Sequence, residues 1–123
     1  MTTIDQSNRL LSAGVKRESA SHHWQKSSSF AIVVIGKPNE SELPVWTLED
    51  LIALMPTDIG QFAQVSRKWK VPRKWHDPEL GRARYEFAYK SRDEALCLKA
   101  FNDKDIMEGA TQMVVWLAEG GYI

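Results

Sequence analysis

The densest chemistry in the chain lies in Arg67-Lys68-Trp69-Lys70-Val71-Pro72-Arg73-Lys74-Trp75, which puts five cations and two indoles in nine residues. Lys and Arg side chains neutralise phosphates, and indole faces stack on unpaired bases. The segment is therefore a candidate nucleic-acid contact through Arg67, Lys68, Trp69, Lys70, Arg73, Lys74 and Trp75. Against it stands the charge balance of the whole chain. Lys plus Arg is 16 and Asp plus Glu is 16, a formal net charge of zero, whereas polyanion binders usually carry a basic excess. The competing assignment turns Trp69 and Val71 toward a core, leaves Lys68 and Lys70 on a solvated face, and makes the remainder a polar turn.

His22-His23 and His76-Asp77 carry groups that ligate metals or move protons. Adjacent histidines in an irregular segment seldom converge on one ion without further ligands, and the spacing matches no metal motif. Asp77 lies in a Pro-flanked turn, where it suits backbone organisation. Nothing around Cys97 supplies a nucleophile elbow or a helix N-terminus, so it reads as a small buried apolar residue. Gly36-Lys37-Pro38-Asn39 lacks the glycine spacing of a phosphate loop. Glu49 and Asp50 are accounted for by a helix start. The expectation is a protein that is not an enzyme and holds no metal and no cofactor.

The elements that position these residues have clear signals. At Trp46-Thr47-Leu48-Glu49-Asp50-Leu51, Thr47 can cap a helix and Asp50 can return the bond. Trp46 and Leu51 occupy the two positions of a hydrophobic staple. Pro56 stops this helix, giving a span of about 48–55. Thr3-Ile4-Asp5-Gln6 repeats the box pattern and predicts a helix over 4–13, with Ile4, Leu11 and Val15 on one side, Leu10 flanking them, and Gly14 as its stop. Residues 16–29 are polar and serine-rich and read as a loop.

Phe30-Ala31-Ile32-Val33-Val34-Ile35 predicts a strand covered on both faces, hence central in a sheet. Residues 62–71 alternate, with Ala63, Val65, Trp69 and Val71 on one face and Arg67 interrupting it. Residues 82–90 alternate more cleanly, Ala83, Tyr85, Phe87 and Tyr89 against Arg84, Glu86, Ala88 and Lys90. Ser91-Arg92-Asp93-Glu94 resembles a helix start, but 95–101 is better read as the second strand of a hairpin, with Leu96, Leu98 and Ala100 inward. Ile106, Met107, Ala110, Met113, Val114 and Leu117 then form one stripe of a helix over 104–119, ended by Gly120 and Gly121. Val115 and Trp116 fall outside that stripe. With Tyr122 and Ile123 they make a candidate protein interface, for self-association or another partner.

Three of these segments carry a resemblance: residues 3–15, residues 46–56, and the run from Glu108 through Trp116 to Gly120-Gly121-Tyr122-Ile123. In this order they resemble small uncharacterised single-domain proteins of Bacteroides-type gut bacteria and their phages or mobile elements. The resemblance implies an α+β domain of no established activity, a strand before the last helix, and a role as an accessory factor of a phage or mobile element. It implies no catalytic residue.

A chain of 123 residues with 43% hydrophobic and 26% charged residues is expected to form one domain, spanning 1–123. The expected fold is α+β: a mainly antiparallel sheet of about four strands with two or three helices packed on it. A single cysteine excludes an intrachain disulfide and favours a reducing compartment. No secretory leader pattern is present, and the longest apolar runs are too short to span a bilayer, so the expected setting is the cytoplasm, away from membranes. The expected function is non-enzymatic binding or interaction, with nucleic-acid binding through 67–75 as the alternative.

Overall fold

The computed structural model describes residues 1–26, 31–70 and 83–123. Among these the fold is α+β, with three α-helices and two antiparallel sheets. The chain divides into two compact units, one comprising Met1–Met55 and Val114–Ile123, the other Pro56–Met113.

In the first unit, helix α1 (Ile4–Ser12) starts on the expected box. Thr3 Oγ1 accepts from the Gln6 N–H at 3.1 Å, and Gln6 Oε1 accepts from the Thr3 N–H at 2.9 Å. It ends at Gly14, whose φ of +97° suits glycine. There the Val15 N–H reaches back to the Leu10 carbonyl and the Gly14 N–H to the Leu11 carbonyl, the two bonds of a Schellman stop. The buried face agrees with the expected one at Val15 and at the flanking Leu10, but Gln6 and Ser7 are buried as well, whereas Ile4 is 54% exposed. Polar residues tolerate that burial because they are bonded: the Ser7 and Thr2 hydroxyls pair at 2.9 Å, and Thr2 Oγ1 also accepts from the Trp46 N–H.

Three strands form the sheet of this unit: β1 (His22–Lys26), β2 (Ala31–Ile35) and β3 (Pro44–Val45), in the order β2-β1-β3. Two expectations are corrected here. The polar stretch expected to be a loop over 16–29 contains a short 3-10 turn at Arg17–Ser19 and then β1, the central strand. Among the described residues the apolar run expected at the centre of a sheet is its edge, pairing only with β1. Composition misled because backbone pairing, not side-chain hydropathy, sets strand order here, and β1 owes its place to partners on both sides. Helix α2 (Leu48–Leu54) follows, with the Thr47/Asp50 box in place and both staple residues, Trp46 and Leu51, fully buried. The Trp46 indole N–H donates to Ser19 Oγ at 2.9 Å, which satisfies its polar end inside the core.

The second unit holds a meander of β4 (Asp58–Ile59), β5 (Phe62–Lys70), β6 (Ala83–Lys90) and β7 (Cys97–Asp103), in sequential order. The β6–β7 hairpin is thus a strand pair, joined by a turn in which Asp93 Oδ1 accepts from the Ser91 hydroxyl and the Ala95 N–H. Strand β6 is covered on both faces, with Glu86, Phe87, Ala88 and Tyr89 all buried, so the clean alternation read from 82–90 does not divide it into a wet and a dry side. The residues expected inward at the start of β7 are also revised. Leu96 is 56% exposed and Cys97 is exposed, because both lie where the β6–β7 register shifts at an outer strand.

Helix α3 (Ile106–Glu119) crosses the boundary between the units. Its N-terminus is set by Asp105, whose carboxylate accepts from the Met107 N–H at 3.0 Å. Of the expected stripe, Ala110, Met113, Val114 and Leu117 are fully buried. Gly109 lets the helix approach β6, since a Cβ there would meet the Phe87 ring at 3.2 Å. Gly121, at φ +77°, ends it with a second Schellman pair, Tyr122 N–H to Leu117 carbonyl and Gly121 N–H to Ala118 carbonyl. Among the described residues no helix is long and apolar enough to cross a membrane.

Candidate functional site

Strand β1 separates the two histidines by putting their side chains on opposite faces. On one face the Ser21 hydroxyl donates to Asp50 Oδ2 at 2.5 Å and lies 2.8 Å from His22 Nδ1. An acid, a hydroxyl and an imidazole meet, but in the wrong order for a nucleophile. The single hydroxyl proton goes to the carboxylate, so the ring donates to Ser21 instead of drawing the proton off it. Asp50 Oδ2 also accepts from the Ser21 N–H at 3.1 Å and the Thr47 N–H at 2.9 Å. Burial acts to raise the Asp50 pKa, but the bonds from Ser21 and Thr47 together outweigh it and hold the carboxyl below its usual range. The cluster ties the start of β1 to the start of α2.

His23 closes the other side of the ladder. Its Nδ1 lies 2.8 Å from the Gly36 carbonyl and its Nε2 3.1 Å from Glu42 Oε2. Both neighbours are acceptors, a carbonyl and a carboxylate, so the ring bridges the turn after β2 to Glu42. Glu42 in turn accepts from the Asn39 N–H, and its carbonyl takes a bond from Arg17. These bonds pin the segment that follows β2 to β1 and to Arg17.

Among the described residues four sheet edges can then be compared. β3 and β4 are two residues each, and β3 begins with Pro44. β7 carries Lys99 and Asp103. Short length, proline and charge are the usual protections of an edge. β2 has none of them. It is five residues, Ala31-Ile32-Val33-Val34-Ile35, without a charge, and Ile35 is 83% and Ile32 46% exposed. A depression of about 660 Å³ lies over β1, lined by Trp24, Gln25, Lys26 and Leu43 among others and touched from β2 by Ala31, and the buried Trp24 Nε1 has no hydrogen-bond partner among the described residues.

The residues singled out from sequence fall as follows. Arg67 is committed: it donates to Glu86 at 2.8 Å and to Glu94 at 2.8 Å, while Lys90 bonds Glu86 at 3.2 Å and lies 3.8 Å from Glu94. Two cations and two carboxylates alternate in a ring. The Glu86 charge, opposed by burial and aided by Glu94, raises the Arg67 pKa further. This explains the cation that interrupts the apolar face of β5, since Arg67 stands directly across from Glu86 in the ladder. Lys68 is exposed, with its ammonium 5.8 Å from the centre of the Tyr85 ring. Trp69 and Lys70 end β5, their backbones paired with Arg84 and Ala83. Arg73, Lys74 and Trp75, like Val71, His76 and Asp77, lie outside the described residues.

At the C-terminus the Trp116 and Tyr122 rings stack, with centroids 5.1 Å apart and planes at 27°. Val115 and Trp116 are half-buried, and Tyr122 and Ile123 are 42% and 45% exposed. Among the described residues no group of three His, Cys, Asp or Glu side chains converges as a metal site. The edge position of β2 was not foreseen: its apolar run was plain, but nothing local reveals that among the described residues β1 alone pairs with it. The Ser21–Asp50 tie, 29 residues apart, left no sequence signal. The chain matches no protein-family model, no curated protein and no solved structure.

Proposed function

We propose that the chain is a non-enzymatic interaction protein that recruits its partner by strand addition at β2. The carrying observation is that, of the four sheet edges among the described residues, this strand alone is uncharged, longer than two residues and studded with exposed isoleucine. Main-chain groups along such an edge supply affinity, and side chains on alternate faces supply selectivity. The C-terminal pair Tyr122 and Ile123, with Val115 and Trp116, offers a second apolar surface that an extended interface could use. An exposed thiol at Cys97 fits a reducing setting, which supports the cytoplasm as the site of action. A role as accessory factor of a phage or mobile element follows from the resemblance of the three segments alone.

The test compares wild type with Ile35→Lys as bait in an extract of the native host. A protein held by wild type and lost from Ile35→Lys, whether another protein or the chain itself, supports strand addition. Equal recovery on both baits would sink it. The second reading, nucleic-acid binding through 67–75, is favoured by the exposed Lys68 and weakened by the engagement of Arg67 with two carboxylates. Retention on heparin that falls steeply with salt would favour it, and no retention at low salt would dismiss it.

A further inference from the structure

We infer that the partner of β2 is a second copy of β2, joined antiparallel about a two-fold axis at Val33. This rests on the strand-addition reading and names its occupant. In an antiparallel ladder, hydrogen-bonded and non-hydrogen-bonded pairs alternate. The Gly36 N–H donates to the Ser21 carbonyl, so the pairs Val34–His23 and Ile32–Gln25 are the hydrogen-bonded ones. Ala31, Val33 and Ile35 therefore turn their N–H and C=O groups away from β1, toward the open edge. Confirming the phase on the other side, the Trp24 N–H, opposite Val33, donates across to Leu43.

The outward positions are spaced symmetrically about Val33. A two-fold axis there sets Val33 against Val33 of the second copy and Ala31 against Ile35, all as hydrogen-bonded pairs, with three N–H donors from each copy satisfied. Moving the register by one pair of residues loses bonds at both ends. The same operation apposes Ile32 and Val34 on one face and Val33 with Val33 on the other, aliphatic contacts throughout. No charge lies in 31–35, so self-pairing sets no like charges opposite each other, and a charged strand would find no complement. The product is a continuous sheet ordered β3-β1-β2-β2-β1-β3. Its outer edges are the short, proline-bearing β3 strands, so growth stops at two copies.

Sedimentation velocity over a dilution series is the primary measurement. Wild type is expected to move from twice 14.0 kDa toward 14.0 kDa on dilution, and Ile35→Lys to stay at 14.0 kDa with an unchanged circular dichroism spectrum. A second variant is independent of whether Ile35→Lys folds. In a Cys97→Ser background, Val33→Cys should form an interchain disulfide on mild oxidation, because the axis places residue 33 beside its own copy within bridging distance. Ile32→Cys, which faces residue 34 across the axis, should cross-link far less. A species of 14.0 kDa at every concentration, with no cross-link through Val33→Cys, overturns the self-pairing. If that monomer still holds another protein through Ile35, strand addition survives and only the identity of the occupant is wrong. If it holds none, both readings fall.

Discussion

Asp50 illustrates how one carboxylate in this chain acts twice. It closes the capping box of α2 and receives the Ser21 hydroxyl and N–H from the start of β1. Its pKa is lowered in the folded state, so its contribution is present above the unfolded carboxyl value of about 4 and is lost as pH falls through the folded value. The melting temperatures of wild type and Asp50→Asn should therefore converge as the pH is taken below about 4, and diverge toward neutrality. Tyr89 has the opposite sign. Burial pushes its pKa from 10.0 up to about 12, and its hydroxyl donates to the Pro56 carbonyl at 2.8 Å. The neutral phenol is favoured in the fold, so its contribution is complete below pH 10 and disappears between about 10 and 12. Tyr89→Phe should abolish that alkaline loss in urea unfolding, at a cost of about 1 kcal/mol near neutral pH. Glu86, 8% exposed and bonded to both Arg67 and Lys90, should be less forgiving. Glu86→Ala removes the carboxylate that Arg67 and Lys90 share and leaves both cations to Glu94 alone, and about 1–3 kcal/mol of unfolding free energy should be lost.

Among the elements, the two longer helices are stopped by the same device. Gly14 has open space around its Cα, so Gly14→Ala meets no clash and pays only for its φ of +97°. Chemical denaturation should show a loss of about 1–2 kcal/mol. Gly120 behaves otherwise. A Cβ there would stand 2.7 Å from the Tyr122 ring, so alanine must displace the tyrosine from its stack on Trp116. A change in tryptophan fluorescence should accompany Gly120→Ala and be absent in Gly14→Ala. Strand β2 shows the limit of reading an element by its hydropathy. Five apolar residues in a row describe a strand that expects cover on both faces, and this chain provides it on too few sides.

For the molecule as a whole, zero formal charge separates the two functional readings. Strand addition at an uncharged edge is carried by backbone bonds and aliphatic contact, neither of which is screened by salt. The weight-average mass of wild type should be nearly constant from low to high ionic strength. Nucleic-acid retention would drop steeply over the same range. The division into two units adds a further point. The first unit is built from both ends of the chain and contains β2, while the second is one continuous meander containing the ion-pair ring. Damage to the ring through Glu86→Ala should therefore lower stability with little direct effect on the register at Val33.

What the amino-acid order determined by itself was local. Both capping boxes, both glycine stops, the β5–β6–β7 meander and the buried stripe of α3 rest on bonds or periodicities within about a dozen residues, and they are legible for that reason. Tertiary structure decided the rest. His22-His23-Trp24-Gln25-Lys26 is too polar to read as a strand, and it became central only because β2 and β3 came to lie on its two sides. Asp50 found Ser21, and Arg67 found Glu86, through pairings that no spacing announces. Above all, whether Ala31–Ile35 ended inside a sheet or along its rim depended on the pairing partners available to it, and side-chain hydropathy carries no record of that choice.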